Sequence, residues 1–171
     1  FRAFDWQVVT LKYGAKQRAA FAEPGGDRLK AWIDACPNDL YSALMFRGGA
    51  AWRDRLDDDI GDQGAVSALL GRRSDAELAE LMANLGGHCV ESLLEQFEAA
   101  GSDRPTVFIA YTVKGWGTPL AGHKDNHAGQ MTSGQIEQLR AAHGVRPGRE
   151  WEPFEGLAEP EALQRYLAKV P

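Results

Sequence analysis

The feature that most constrains this sequence is an almost continuous apolar run over residues 106–113, Thr-Val-Phe-Ile-Ala-Tyr-Thr-Val. Arg104-Pro105 precedes the run and Lys114-Gly115 follows it. An apolar run of this kind, bounded by turn residues, is typical of a central parallel strand that is covered on both faces. The sequence therefore predicts a parallel sheet that contains this strand.

Only one other segment has the character of a strand. Residues 6–11 are β-branched and aromatic, and they end at Tyr13-Gly14. Nearly everything between the two strands has helical periodicity, with apolar residues at i, i+3, i+4 and i+7. Three such sets are each predicted to form one buried stripe: Leu29, Trp32, Ile33 and Cys36; Leu78, Leu81, Met82 and Leu85; Val90, Leu93, Leu94 and Phe97.

Local patterns predict where several helices begin and end. Capping boxes are predicted to begin two of them, formed by Ser74 with Glu77 and by Thr132 with Gln135. Gly86-Gly87 is predicted to supply a left-handed stop between two helices, and His88 to cap or orient their junction. Gly144 is predicted to end the helix that Thr132 begins, and a last helix is predicted from about residue 161 to residue 169.

Two strands are too few to cover this many helical faces. The predicted fold class is therefore α/β, as part of a doubly wound, mainly parallel sheet with helices on both faces, incomplete in this chain. Its other strands are expected from residues outside this chain or from a partner. Because the chain lacks an initial Met and opens almost directly into a strand, we expect it to be a piece of a longer protein.

Charge and hydropathy exclude some classes of function. Lys and Arg total 19 against 24 for Asp and Glu, so the formal net charge is −5 and bulk binding to nucleic acid or to an anionic membrane has no electrostatic basis. No apolar run approaches the ~20 residues that span a bilayer, and the first residues lack the layout of a signal peptide. The predicted location is cytoplasmic.

The richest stretch in chemistry is residues 114–131, directly after the strong strand. Ligands of open α/β sheets bind at that edge, and the stretch offers the Lys114 ammonium and the imidazoles of His123 and His127. An anionic ligand is the interpretation that these groups favour. Two alternatives stay open: a solvated surface loop, and a zinc site that uses His123 and His127 with Asp125 between them.

Two motifs in this stretch carry a family resemblance. Lys114-Gly115-Trp116-Gly117 at the end of a strand, followed by Asn126-His127-Ala128-Gly129, resembles the loop that closes the thiamine-diphosphate-binding domain. That loop occurs in transketolases and in the homodimeric pyruvate dehydrogenase decarboxylating component. In transketolases the matching His, usually followed by Gly, contacts the cofactor phosphates and the reaction centre, and here Ala128 replaces that Gly.

Other segments are similar to the pyruvate dehydrogenase family in the same order. They are Trp6-Gln7-Val8-Val9, Asn38-Asp39-Leu40-Tyr41, residues 47–53, Leu85-Gly86-Gly87-His88 and residues 105–115. The spacing from Gly117 to His127 is closer to that of transketolases. The resemblance makes residues 1–145 the C-terminal portion of a diphosphate-binding domain, and residues 146–171 a linker and a helix that lead toward a following domain.

The resemblance implies a fragment of a thiamine-diphosphate-dependent 2-oxo acid dehydrogenase, which decarboxylates pyruvate and transfers the acyl unit to a lipoyl group. It implies that His127 and Lys114 are catalytic residues, and that the same two residues bind the cofactor with Gly115 and Gly117. The implied partners are the second subunit of a homodimer, the missing domains of the same protein and a lipoyl-bearing dihydrolipoyl acyltransferase. The fragment alone is expected to be inactive.

Two alternative functions stay open. One is a transketolase that moves two-carbon ketol units between sugar phosphates, and the other is a non-catalytic α/β interaction domain. The family holds Mg²⁺ with a Gly-Asp-Gly motif that ends in an Asn further along, and this chain has no such motif. Gly61-Asp62-Gln63-Gly64 is interpreted as an ordinary turn. The metal ligands are therefore expected upstream of Phe1, with none in this chain.

Overall fold

The computed structural model describes residues 1–62, 64–101 and 103–170. Two five-residue strands and a series of helices make up this part of the chain. In chain order they are β1 (Gln7–Leu11), α1 (Ala15–Phe21), α2 (Gly26–Ala35), α3 (Asn38–Arg47), α4 (Gly49–Ile60), α5 (Gly64–Gly71), α6 (Asp75–Ala83), α7 (Val90–Glu98), β2 (Thr106–Ala110), α8 (Ser133–Ala142) and α9 (Pro160–Leu167), with short 3-10 turns at Arg2–Phe4 and Gly86–His88.

The two strands pair in parallel, as their apolar sequences predict. Gln7 is opposite Thr106 and Leu11 is opposite Ala110, so the strands start and end together. A parallel pair needs a long crossover connection, and here helices α1 to α7 provide it. Both carboxyl ends therefore lie at the same edge of the sheet. The predicted α/β class is confirmed, whereas the doubly wound and incomplete sheet stays a prediction.

The hydrophobic core lies mainly among the crossover helices. Trp52 of α4 is fully buried at its centre, and its ring makes edge-on contacts with Tyr41, at 4.8 Å between centroids, and with Trp32, at 6.0 Å. Aromatic rings in this geometry contribute beyond the area that they bury. Buried apolar residues of α1 to α6 surround Trp52: Ala20, Leu29, Ile33, Leu44, Leu56, Ile60, Val66, Leu69, Leu70, Leu78, Leu81 and Met82.

Helix boundaries follow the sequence patterns closely. Both predicted capping boxes are present: the Ser74 and Thr132 hydroxyls accept from the backbone N–H groups of Glu77 and Gln135, and the Ser74 and Thr132 backbone N–H groups donate to the Glu77 and Gln135 side chains. Gly144 has a φ of +67° just after α8, as a left-handed stop requires. The last predicted helix corresponds to α9. Gly61 and Asp62 form the predicted turn and Gly64 begins α5, while Gln63 lies outside the described residues.

Two predictions of burial are wrong. β2 was expected to be covered on both faces, but Ile109 is 44% exposed, and within the described part of the chain β1 is its only strand partner. The stripe of α7 is not buried either, since Leu94 and Phe97 are each more than half exposed. Periodicity creates an apolar face, but an opposing surface must be present to bury it. Phe97 finds one in the ring of Phe108 on β2, 4.7 Å away.

The interpretation of Gly86-Gly87 as a left-handed stop is also wrong, because neither residue has a positive φ. These glycines instead let backbone approach backbone. The Gly86 N–H donates to the Lys12 carbonyl at 3.0 Å, and the Gly87 N–H donates to the Tyr111 carbonyl at 2.9 Å. A Cβ on Gly86 would lie 2.4 Å from the Leu11 carbonyl oxygen, closer than real contacts allow. The turn is thereby attached to the carboxyl ends of both strands.

Among the helices in the described ranges, none has the length and apolar character to cross a membrane. The division at residue 145 stays a prediction.

Substitution of Gly86 tests this explanation of the turn. Gly86→Ala is expected to destabilise the protein by about 1–3 kcal/mol because its Cβ meets the β1 backbone. Gly86→Asn is expected to lower the free energy of unfolding by at least as much. If Gly86 had a left-handed conformation, Asn would be tolerated better than Ala. Gly134→Ala is the control, since that position in α8 has open space around it. Urea unfolding measures all three, and an Asn variant more stable than the Ala variant would contradict the explanation.

Candidate functional site

The candidate site lies where the chain leaves β2. The strand ends at Ala110, and residues 111–132 form a series of turns before α8 begins at Ser133. Lys114 stands at the start of this loop and His127 near its end, and the fold brings the two side chains together. The sequence-predicted pair therefore occupies one place at the carboxyl edge of the sheet, where open α/β sheets bind their ligands.

The Lys114–His127 contact defines the protonation pattern of the imidazole. The Lys114 Nζ lies 2.8 Å from His127 Nδ1. An ammonium group can only donate, so Nδ1 is the acceptor and the ring of a neutral His127 carries its proton on Nε2. Both residues are exposed. The pair therefore combines one positive charge with an N–H donor, which suits an anionic ligand.

The two glycines of the motif have backbone conformations that favour glycine. Gly115 and Gly117 have φ angles of +73° and +84°. A Cβ on Gly115 would also lie 2.4 Å from the Asn126 amide nitrogen, while Gly117 has open space around it. Turn geometry is thus sufficient to explain both glycines. Their close approach to a cofactor stays a prediction.

Asn126 holds the loop closed, a role that the sequence analysis did not assign. Its Nδ2 donates to the Lys114 carbonyl at 2.6 Å and to the Leu120 carbonyl at 3.0 Å. The Gly122 N–H donates to the same Lys114 carbonyl at 3.1 Å. An Asn in a glycine-rich loop commonly bonds to nearby backbone groups. This tendency is the signal in the sequence that could have indicated the role of Asn126. Asn126 thereby fixes the backbone on the carboxyl side of Lys114.

His88 fixes the backbone on the amino side of Lys114. Its Nε2 accepts from the Val113 N–H at 3.1 Å, and its Nδ1 lies 3.1 Å from the carbonyl of Ala83, the last residue of α6. The predicted capping role is therefore confirmed, and the bond to Val113 is an addition to it. The ring also stacks on Trp116, with centroids 4.4 Å apart and planes 15° apart. Burial lowers the pKa of the His88 imidazole.

A cavity of about 690 Å³ adjoins Lys114 and is lined by both strand ends and by parts of α2 and α3. Asp34 in its wall accepts hydrogen bonds from Lys12, Tyr13 and Lys30. Burial disfavours the ionised carboxylate, but these three bonds outweigh burial and hold the pKa of Asp34 well below its usual range. Lys12 and Lys30 thus share one carboxylate, and the cluster keeps one net positive charge.

The zinc alternative finds no support in the structure. His123 Nδ1 accepts from the Asp125 N–H at 3.1 Å, and its ring packs edge-on against Phe46 with centroids 4.5 Å apart. Within the ranges that the structure describes, no group of three His, Cys, Asp or Glu side chains is placed to hold a metal ion. His123 and His127 therefore have separate partners, Asp125 and Lys114.

No family model matches this chain. Among curated proteins, the chain is similar to several named pyruvate dehydrogenase E1 component, and in three examples the similarity covers 82% of the chain. The one from Cupriavidus necator is 25% identical over 142 residues, that from Pseudomonas aeruginosa 27% over 143, and that from Escherichia coli 22% over 142.

The aligned part is 15%, 16% and 15% of the length of these three relatives, respectively. The chain therefore spans about one seventh of the proteins that it matches. Its resemblance to the pyruvate dehydrogenase E1 component is confirmed as a distant similarity of sequence over most of the chain. The resemblance to transketolases, which rests on the loop motifs and their spacing, stays a prediction.

Asn126→Asp is expected to open the loop. The replacement has nearly the same shape, but a carboxylate cannot donate to the Lys114 and Leu120 carbonyls. Loss of two hydrogen bonds, each contributing about 0.5–1.5 kcal/mol, is expected to speed amide exchange at Gly122 by about tenfold or more. Asn38→Asp makes the same charge change at an exposed position of α3 and is expected to leave Gly122 unchanged. Equal exchange in both variants would refute the role of Asn126.

The lowered pKa of His88 predicts a pH dependence of stability. The folded state favours the neutral imidazole, so stability is complete above the unfolded pKa of about 6.5 and decreases as pH falls from there toward the folded pKa. His88→Gln is expected to lose this decrease. Urea unfolding between pH about 7.5 and about 5 measures it, a range above the unfolded carboxyl pKa values of about 4, where the loss of stability from carboxylate pairs would begin. The prediction fails if both proteins have the same pH slope.

Proposed function

We propose that this chain is part of the diphosphate-binding domain of a thiamine-diphosphate-dependent 2-oxo acid dehydrogenase. Pyruvate is the proposed substrate and a lipoyl group the acceptor of the acyl unit. The observation that carries the proposal is the Lys114–His127 pair at the carboxyl edge of the sheet, within a chain similar to pyruvate dehydrogenase E1 components. Lys114 begins the first of the two motifs on which the resemblance rests, and His127 belongs to the second.

The donor set of this pair fits the diphosphate end of the cofactor. Lys114 supplies a positive charge and His127 an Nε2–H, and phosphate oxygens accept from both. The sequence has no Gly-Asp-Gly motif, so the proposal assigns the Mg²⁺ ligands to residues that are not in this chain. When bound, thiamine diphosphate supplies the nucleophilic carbon and the electron sink for decarboxylation.

The chain's own residues then have distinct tasks. Lys114 neutralises negative charge on the diphosphate or on a reacting carboxylate, and it keeps the proton of His127 on Nε2. His127 donates that proton in a hydrogen bond to a phosphate or reacting oxygen. Gly115 and Gly117 allow the backbone to turn at that position, and Asn126 holds the turn closed.

Exposed apolar surface supports further strands or subunits around this unit. Val90, Leu94 and Phe97 on one face of α7 are 67%, 53% and 52% exposed, and Ile109 on β2 is 44% exposed. An exposed apolar face usually marks a contact with another part of a protein. The proposal therefore includes the missing domains, the second subunit of a homodimer and, for acyl transfer, a lipoyl-bearing acyltransferase. It also includes a cytoplasmic location, and inactivity of the chain alone.

Transketolase activity is the second candidate, because the spacing from Gly117 to His127 is closer to transketolases. Such an enzyme would move two-carbon ketol units between sugar phosphates, again with thiamine diphosphate. Assays with pyruvate and with sugar phosphates on the product of the complete reading frame separate the two candidates. Activity with neither, and no cofactor binding by calorimetry, would leave the non-catalytic interaction domain.

Matched pairs of variants in the active protein test the assigned residues. Lys114→Met and His127→Gln are expected to lower kcat by about 10²–10⁴, the usual contribution of a positioned proton donor or charge. Lys124→Met and His143→Gln are the controls, since Lys124 belongs to the same loop and its side chain is 84% exposed. Equal effects at Lys114 and Lys124, or at His127 and His143, would contradict the assignment.

A further inference from the structure

A single turn connects both strand ends to the loop that carries Lys114. The Gly86 N–H bonds to the Lys12 carbonyl and the Gly87 N–H to the Tyr111 carbonyl, while the His88 imidazole bonds to the Val113 N–H. β2 ends at Ala110, so the turn provides hydrogen-bond partners for the backbone just after the strand. Lys114 is the next residue after Val113.

The partners of His88 define its protonation state without ambiguity. A backbone N–H can only donate, so Nε2 carries no proton where it meets Val113, and a backbone carbonyl can only accept, so Nδ1–H donates to Ala83. His88 is therefore a neutral imidazole with its proton on Nδ1. A proton on Nε2 would oppose the Val113 N–H and break this bond.

The same ring reaches the other side of Lys114 through Trp116. The two rings stack 4.4 Å apart. The backbone N–H of Trp116 donates to the Val113 carbonyl at 3.1 Å, and this bond closes a turn around Lys114. His88 thus contacts the residue before Lys114 and the second residue after it. The backbone position of Lys114 decides whether its Nζ meets His127 Nδ1.

We infer that His88 is a positioning residue for Lys114: its Nδ1–H imidazole, bonded to Val113 and stacked on Trp116, places the Lys114 ammonium against His127. The contribution of this placement to catalysis rests on the proposed function, but the placement itself does not. A displacement of a reacting group by about 1 Å costs on the order of a hundredfold in rate. A side chain that only filled space beneath the loop would have no such effect.

Two substitutions separate hydrogen bonding from space filling. His88→Gln keeps an amide oxygen that accepts from Val113 and an amide N–H that donates to Ala83. His88→Phe keeps a flat ring against Trp116 and loses both hydrogen bonds. The inference therefore predicts that Gln preserves the position of Lys114 and that Phe does not, although Phe resembles imidazole more closely in shape.

Nitrogen NMR of the 171-residue chain tests the placement without any cofactor. At pH about 8, where imidazoles are neutral, His88 is expected to carry its proton on Nδ1 and His127 on Nε2. In His88→Phe, His127 is expected to become a mixture of both neutral tautomers because it no longer receives the Lys114 bond, and His88→Gln is expected to restore the Nε2–H form. The unchanged indole signal of buried Trp52 verifies that each variant is folded.

The wild-type spectrum alone can overturn the inference, even if His88→Phe fails to fold. A proton on Nε2 of His88 would be incompatible with the Val113 bond. An unchanged His127 tautomer in a folded His88→Phe variant would show that Lys114 does not depend on His88. Either result refutes the positioning role.

A double-mutant cycle in the active protein tests the catalytic part. His88→Phe is expected to lower kcat by about tenfold to a hundredfold, and the same change in a Lys114→Met background is expected to add little, because His88 acts through Lys114. If the losses of kcat in the two single variants are fully additive in the double variant, His88 does not act through Lys114. If the NMR results hold but the complete protein has no thiamine-dependent activity, the proposed function fails and the positioning role stands.

Discussion

The in-register parallel pairing of β1 with β2 is the constraint on which the rest of this structure depends. Because Leu11 lies opposite Ala110, the two carboxyl ends meet at one edge, and the loop from Lys114 onward starts there. The crossover between the strands contains most of the hydrophobic core, centred on Trp52. Closing so long a connection costs only slightly more entropy than closing a short one, since the cost grows logarithmically with length.

The sequence predicted the elements well because their causes are local. Apolar spacing, capping boxes and the Gly144 stop each involve residues within a few positions of one another, so α2, α6 and α8 could be located without tertiary information. Burial could not be predicted in the same way. The apolar face of α7 is real, but the sequence of that helix contains no information on whether another surface covers it. The exposure of Phe97 on α7, and of Ile109 on β2, could therefore not be predicted.

The candidate site was only partly accessible from the sequence, for a related physical reason. Lys114 and His127 could be proposed because a loop after an apolar strand is the usual ligand edge, and their motifs supported this. Asn126 and His88 were assigned no site role, because each acts by bonding to backbone groups that are identical in every residue. The close approach of Gly86 to β1 was also not predicted. A close backbone contact and a positive φ both favour glycine, so the sequence does not distinguish them.

The two lysines at the carboxyl edge show that the partner of a charge decides its function. Lys12 follows β1 and forms an ion pair with the carboxylate of Asp34, which it shares with Lys30. Lys114 follows β2 and meets the neutral imidazole of His127, which leaves its charge intact and directs an N–H toward the same ligand. In a protein with a net charge of −5, anions are repelled on average. Attraction for an anion at the end of β2 therefore depends on the contacts that keep Lys114 beside a histidine and not beside a carboxylate.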